Sequence, residues 1–284
     1  MKLNYQLPAI HDYLLQLKES KIFSKIDLKN GYYQIAMKET DKPKTAFNLM
    51  GRTYQFRRMP FGLSNAPRIF QQTMVLILGD KPYVKFFLDD ILIHSKSEEE
   101  HPIHIEEVIK TPHGHRISIN FEKSSFAKEE VHYLGHIISA KGIKPDIEKV
   151  KKLRIPMART RKDVQKLVGF LNWFRPFVKD LSNKLNSIYD KIKSERVDWT
   201  QKDTETVQQI LHEIESQTIL HYPDMNKPFT LHTDASETGL GGILSKEQKI
   251  VGIYSYKPRC SELNYSVVER EMLAIFNLVI YFNQ

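Results

Sequence analysis

The spacing of apolar positions along the chain changes several times, and each change marks an element. Ile10, Leu14 and Leu17 recur at helical spacing after Pro8, which predicts a short amphipathic helix. "FSKIDL" (23–28) and "YYQIAM" (32–37) read as two strands joined through Asn30-Gly31. "KTAFNLM" and "TYQFRRM" flank Gly51-Arg52 as a hairpin, "MPFGLSNAP" (59–67) reads as a loop, and 66–79 as a helix. In "YVKFFLDDILIHS" (83–95) two apolar, strand-like runs enclose Asp89 and Asp90. Ser97 with Glu100 resembles a capping box for a helix near 98–110, with Pro102 in its first turns and Pro112 ending it. "ISINF" and "HYLGHIIS" are strand-like, so residues 1–140 are expected to form an α+β unit of antiparallel hairpins.

Past "KGIKP" (141–145) the pattern becomes helical, over 146–154, 160–174 (Thr160 and Asp163 as a cap) and 176–193. A third unit begins near Pro228. "FTLHTDAS", "GLGGILS" and "KIVGIYSY" predict three consecutive strands, and 262–283 a helix. A unit of about 57 residues ending on the apolar "LAIFNLVIYFNQ" is marginal as an independent domain and reads as cut off.

A hydrophobic content of 41% and a charged content of 27% belong to an ordinary soluble chain. No apolar run is long enough for a membrane span, and "MKLNYQLPAI" lacks a signal core, so no membrane partner and no secretion are expected. One cysteine, Cys260, excludes an internal disulfide and suits an intracellular, cytoplasmic location. The net charge of +8 is concentrated: residues 141–193 hold fifteen Lys or Arg against five Asp or Glu. That concentration points to an anionic partner, with nucleic acid the first candidate, although a solvated lysine-rich helix face has the same composition.

The pair Asp89-Asp90 is the feature that composition leaves unexplained. It is a poor turn sequence, and adjacent carboxylates repel unless something positive lies between them. A hairpin with a solvated acidic tip is one reading. The other is a divalent-cation site, which needs a further carboxylate because neighbours in an extended chain point to opposite faces. Asp27, at the end of a predicted strand, supplies a candidate, and read alone it is equally a strand-end cap.

"KIDLKNGYYQI", "MPFGLSNAP", "FLDDILIHS", "YLGHIIS" and "TDAS", in this order over nearly the whole chain, resemble the reverse transcriptase of gypsy-type long-terminal-repeat retrotransposons. The resemblance implies a right-hand polymerase: palm with partial fingers (1–140), basic helical thumb (141–195), connection (196–227) and the start of a ribonuclease H-like α/β domain (228–284). Asp27, Asp89 and Asp90 match the polymerase carboxylates. Asp27 and Asp89 would bridge two Mg²⁺ ions, with Mn²⁺ a possible substitute, for nucleotidyl transfer to a primer 3′-hydroxyl. Asp90 would support the site and the primer end.

The expected partners are an RNA or DNA template-primer duplex and deoxynucleoside triphosphates, the expected setting a virus-like particle. Tyr32, Phe61 and Phe87 match the nucleotide pocket, although Tyr32 and Phe61 read alone are also ordinary packing aromatics. Leu134 and Gly135 match the primer grip. Lys149, Lys151, Lys152, Arg154, Arg161 and Lys162 lie in the thumb segment that tracks backbone phosphates. Trp173 reads as core rather than base-stacking. Asp234 and Glu271 match two carboxylates of ribonuclease H.

Four departures qualify the match. The basic fingers segment that precedes "NYQLP" in the family is absent, and Phe87 stands where the family usually has Tyr. "IKTPHGHRIS" replaces a leucine-bearing helix end, with Arg116 where glycine is common. The ribonuclease H motif set stops at two carboxylates, so hybrid cleavage is not expected and the chain reads as shortened at both ends. A non-catalytic nucleic-acid-binding remnant is therefore the alternative function.

Overall fold

The computed structural model describes residues 17–79, 81–114, 117–151, 158–193, 196–216, 218–224 and 226–283. Apart from Leu17, the helix expected near 10–17 lies outside them. The chain divides into two compact units, Met1–Leu134 with Ile138–Ala140, and Gly135–Ile137 with Lys141–Gln284.

The first unit is built on a four-stranded sheet. Its strands are β1 (Ile22–Leu28), β4 (Val84–Phe87), β5 (Asp90–Ser95) and β6 (Ile119–Lys128), in the order β4-β5-β1-β6. Every neighbouring pair is antiparallel. Helices α1 (Ala66–Leu78) and α2 (Glu100–Gly114) contribute Phe70, Met74, Leu78 and Val108 to a core shared with Ile26, Leu28, Ile91 and Ile93. Burial of each such side chain contributes about 1.5–3 kcal/mol, which sets the sheet register against slippage. The small hairpin of β2 (Phe47–Leu49) and β3 (Arg52–Tyr54) lies outside that sheet.

Four local expectations for this unit are corrected. Residues 32–37 do not form a strand: Asn30 adopts a left-handed conformation (φ 56°) and Gly31–Gln34 form a 3₁₀ turn. The reason is the Gln34 amide, which donates to Lys29 O (2.5 Å) and Ser118 O (3.1 Å) and accepts from Ser118 N (2.6 Å), replacing the ladder a strand would need. The β2–β3 turn is Met50-Gly51 (φ 49° and 71°), one residue earlier than expected, because a two-residue turn matching strand twist requires two positive φ values. Pro112 lies inside α2 rather than at its end. A proline there forfeits its own N–H bond and crowds the carbonyl four residues back, while its own carbonyl accepts from Ile117 N at 2.9 Å. "HYLGHIIS" is not one strand but β7 (Glu130–Tyr133) and β8 (His136–Ser139) joined at Leu134-Gly135.

In the second unit, β9 (Gly142–Pro145) exchanges two backbone hydrogen bonds with Leu220. Helix α3 (Arg161–Trp173) begins at the expected Thr160–Asp163 capping box. The helix expected over 176–193 is broken into Arg175–Phe177, Leu181–Lys184 and α4 (Asn186–Lys193), with Asp180 at φ 54° interrupting the run. Helix α5 (Gln201–Glu215), which no sequence reading singled out, buries Val207, Ile210, Leu211 and Ile214 at three- and four-residue spacing. These join Val164, Leu171, Phe174, Leu181 and Ile188 in one core.

Strands β10 (Thr230–Ala235), β11 (Leu240–Lys246) and β12 (Lys249–Tyr256) form an antiparallel meander, covered by α6 (Val267–Phe282) as expected. A side chain at Gly242 would collide with Leu278 and with His232 O, so glycine is what lets α6 approach the sheet.

Candidate active site

The antiparallel register of β1 and β5 sets Asp27 directly opposite Asp90, the last paired position at that end of the sheet. Directly opposed residues share a face. Phe87 pairs with Asp90, so Leu88 and Asp89 are the two residues of the β4–β5 turn, and Leu88 takes φ 55°. Asp89 is thus a turn residue, not half of an extended dipeptide. Its backbone carbonyl accepts from Leu28 N at 3.3 Å, which ties the turn to the β1 end that carries Asp27. The β1–β6 register shifts between Lys25 and Asp27, and there Asp27 N donates to Ser124 Oγ at 3.1 Å. A bulge at this position aims one side chain without disturbing the rest of the ladder.

Asp89 is solvent-accessible as a residue, yet its carboxyl group lies against Gly31, where an added Cβ would stand 3.5 Å from Asp89 Oδ2. Partial desolvation of that carboxyl raises its pKa above the usual carboxylate range. The charges of Asp90 and Asp27 push the same way, while its own backbone amide and Lys25 oppose. Two groups that the sequence reading missed organise this end of the sheet. Lys25 Nζ forms an ion pair with Asp90 Oδ1 at 2.8 Å. Gln71, fully buried on α1, donates to Phe86 O (3.2 Å) and accepts from Leu88 N (2.7 Å), holding the strained turn from below. A glutamine beside Phe70 on the apolar face of a helix was the available signal.

Tyr32 lies in the 3₁₀ turn next to this site. Its ring contacts Phe61 (5.2 Å between centroids) and Phe70 (5.4 Å), and burial with the nearby Asp89 charge raises its hydroxyl pKa. Phe61 is 63% exposed, and Phe87 is half-buried at the end of β4. The structure thus brings Asp27, Asp89, Asp90 and Tyr32 together, with Phe61 and Phe87 alongside.

The other expected residues lie elsewhere. Leu134 and Gly135 are the turn residues between β7 and β8 (φ 49° and 79°). A Cβ on Gly135 would stand 3.0 Å from the Trp173 ring, and Trp173 is 44% exposed, not the core residue expected. Arg161 and Lys162 are exposed in the first turn of α3, and exposed Lys151 faces Glu148 at 3.9 Å. Lys152 and Arg154 lie outside the described residues, as does the side chain of Lys149. Asp234 is exposed on β10 opposite Gly241, and Glu271 is half-buried on α6.

Among the described residues no group of three or more His, Cys, Asp or Glu side chains is drawn together tightly enough to hold a metal ion. The donor chemistry at Asp27 and Asp89 nevertheless fits a hard cation: the oxygens are carboxylate, and the mutual repulsion acting on Asp89 is what such a cation relieves. At Asp90 a cationic partner is already present in Lys25.

Two sequence families match the chain. The family described as "Reverse transcriptase (RNA-dependent DNA polymerase)" matches residues 1–138, and that described as "RNase H-like domain found in reverse transcriptase" matches 199–284. The chain belongs to the reverse transcriptase family. Its curated relatives include the retrovirus-related Pol polyprotein from transposon gypsy of Drosophila melanogaster, 37% identical over 289 residues, covering 95% of this chain and 28% of the relative. The transposon Tf2-3 polyprotein of Schizosaccharomyces pombe is 35% identical over 280 residues, covering 95% of this chain and 21% of that protein. The chain therefore spans between a fifth and a third of the length of these polyproteins.

Among solved structures, foamy viral protease-reverse transcriptase in complex with double-stranded DNA superposes with a TM-score of 0.89 at 24% identity, covering 99% of this chain and 51% of that one. The same viral enzyme with an RNA/DNA hybrid gives 0.87 at 24% identity, covering 99% and 39%. The fold of this reverse transcriptase-family chain is accordingly the α+β polymerase fold followed by a ribonuclease H-like unit. Among the described residues no helix is long and apolar enough to cross a membrane.

Proposed function

We propose that this chain is the RNA-directed DNA polymerase portion of a retrotransposon Pol polyprotein, adding deoxynucleotides to the 3′-hydroxyl of a primer annealed to RNA or DNA. The observation that carries the reading is the register pairing of Asp27 with Asp90, with Asp89 in the adjoining turn and Tyr32 beside it. Asp27 and Asp89 would hold Mg²⁺, or Mn²⁺ in its place, and such an ion supplies electrostatic stabilisation of the phosphoryl charge that develops in transfer. Asp90, held by Lys25, supports the two ligands. The Tyr32 ring, supported by Phe61 and Phe70, would position an incoming sugar, and Phe61 and Phe87 would border the base. The positive-φ turn at Leu134-Gly135 allows close backbone approach to a primer strand.

In this reading residues 1–140 are the palm with partial fingers, 141–195 the thumb, 196–227 the connection and 228–284 the ribonuclease H-like domain. Lys149, Lys151, Lys152, Arg154, Arg161 and Lys162 supply sequence-independent contacts to phosphates. The foamy viral relative of the same fold was solved on double-stranded DNA and on RNA/DNA hybrid, which supports a duplex as the partner here. Asp234 on β10 and Glu271 on α6 are two carboxylates of the ribonuclease H-like domain. The exposed, free Cys260 suits a reducing cytoplasm, and assembly in a virus-like particle follows from the retrotransposon reading.

Primer extension on an oligo-dT-primed poly-rA template with Mg²⁺, beside an Asp89→Asn control, tests the proposal. Incorporation abolished by Asp89→Asn is expected. A second reading, a non-catalytic duplex-binding remnant, is favoured by the Lys25–Asp90 ion pair and the lack of a closed three-ligand cluster among the described residues. Salt-sensitive duplex binding without incorporation would establish it in place of the first.

A further inference from the structure

A groove of about 920 Å³ opens on the first unit between α2 and the paired start of β1 and end of β6. Ile22, in its lining, pairs in register with Ser95, which places the groove at the C-terminal end of β5. Asp90 stands at the other end of that strand, roughly 17 Å away by strand rise. The groove is separate from the candidate active site.

One wall is a single face of α2, running from His101 through Ile105 and Ile109 to Lys110, a length of about 14 Å. Ile22 and Phe126 face it from the sheet. The most buried polar side chain of the lining has nothing left to offer an occupant. His101 is 1% exposed, with Nε2 2.7 Å from Ser24 Oγ and Nδ1 2.7 Å from Ser95 Oγ. Ala127 N, on the strand side, already donates to Ser24 Oγ at 2.9 Å. An extended peptide would find no backbone ladder here. A helix bonds its own backbone and needs only the apolar surface of Ile22, Ile105, Ile109 and Phe126.

The rim is acidic in a chain whose net charge is +8. Glu98, Glu106 and Glu129 stand there against a lysine, Lys110, and Glu106 holds that lysine at 2.5 Å. Glu98 and Glu129 are exposed and have no ion-pair partner among the described residues. This pair repels phosphates, so a nucleic-acid strand does not fit the groove. An amphipathic helix whose apolar stripe is flanked by lysine or arginine complements both the walls and the rim.

We propose that the groove between α2 and β6 docks a basic amphipathic helix of another polypeptide, about three to four turns long. The occupant lies alongside α2, with its apolar stripe on Ile105 and Ile109 and its cations at Glu98 and Glu129. The inference uses the fold and the charge pattern alone, and it stands whether or not the chain polymerises.

The test is fluorescence anisotropy on the full chain with two labelled synthetic peptides of about fourteen residues. Both carry leucine at helical spacing, and the remaining positions are lysine in one and glutamate in the other. The lysine peptide is expected to bind saturably, and the glutamate peptide not to bind. Glu98→Lys combined with Glu129→Lys should weaken the lysine peptide about tenfold. Pro102→Arg, an exposed change at the mouth that leaves the core untouched, should weaken it in the same direction. Glu122→Lys, exposed on β6 outside the groove, should leave it unchanged. Circular dichroism of each variant confirms that the chain is folded, and Pro102→Arg serves if the double variant is not. No binding of the lysine peptide, or a loss in Glu122→Lys as large as in the groove variants, overturns the proposal. A dimer in sedimentation velocity that the double charge reversal dissolves would assign the groove to a second copy of this chain and overturn it as well.

Discussion

Lys25 Nζ lies 2.8 Å from Asp90 Oδ1, so the carboxylate-rich end of the sheet carries its own cation. The two residues meet because β1 and β5 pair Asp27 with Asp90 and Lys25 with Leu92, putting Lys25 and Asp90 on one face as diagonal neighbours. The ammonium answers some of the negative charge that Asp27, Asp89 and Asp90 would otherwise concentrate.

Lys25→Met removes that compensation. Both side chains are about a quarter exposed, so the loss of stability is expected to be small, about 0–1 kcal/mol. The stabilisation by millimolar Mg²⁺ should instead grow. Thermal unfolding of the two proteins with and without Mg²⁺ measures this, and an equal Mg²⁺ shift in both would show that Lys25 and the cation do not compete.

Gln71→Leu keeps the volume of the buried side chain and deletes both hydrogen bonds that hold the Leu88-Asp89 turn. A buried N–H left unsatisfied costs about 1–3 kcal/mol. Denaturant unfolding should show that loss. Primer extension should fall further than duplex binding does, because the substitution misplaces Asp89 and leaves the basic segment untouched. Equal losses in both assays would mean that Gln71 supports the whole unit rather than the turn.

His94 gives a pH signature. It is buried beside β1, with Nδ1 2.8 Å from Ser20 Oγ, and desolvation, assisted by the Lys85 charge, lowers its pKa to about 4. In the unfolded chain it titrates near 6.5, so between pH 6.5 and 4 the unfolded state binds the extra proton and stability falls as the pH drops. The full window is worth about 3 kcal/mol, and buried His101, shifted downward by its own burial, adds in the same direction. Urea unfolding at pH 7 and pH 4.5 should show a steep loss that His94→Asn reduces. An unchanged slope in the variant would assign the acid sensitivity to other groups.

Gly242→Ala forces a methyl group into Leu278 and the backbone of His232. Overpacking of this kind costs about 1–3 kcal/mol. Faster hydrogen exchange confined to β10–β12 and α6, with the first unit unchanged, is the expected outcome. Uniformly faster exchange would mean that the two units unfold together.

Much of the fold was legible because it rests on local rules. The capping box at Thr160 starts α3, and the alternation of apolar positions marks β1, β4, β5 and β10–β12. The failures share one cause, which is that a distant partner overrides local preference. "YYQIAM" has strand composition, but Gln34 bonds Ser118 across the unit and the backbone winds into a 3₁₀ turn. The 176–193 run has helical spacing, but Asp180 in the left-handed region divides it. Lys25 and Gln71 could not be assigned from sequence, since each acts on a residue that is near only after the sheet has formed.

The sequence by itself determined the order of the motifs, the family to which they belong and the concentration of positive charge after residue 140. Its motifs carry that information because residue type and spacing along the chain are local properties. The tertiary structure alone decided that Asp27 faces Asp90 and that Lys25 answers that charge. Those relationships depend on strand register, and register is set by the summed burial of the Phe70, Ile91 and Ile93 core rather than by any short stretch of chain.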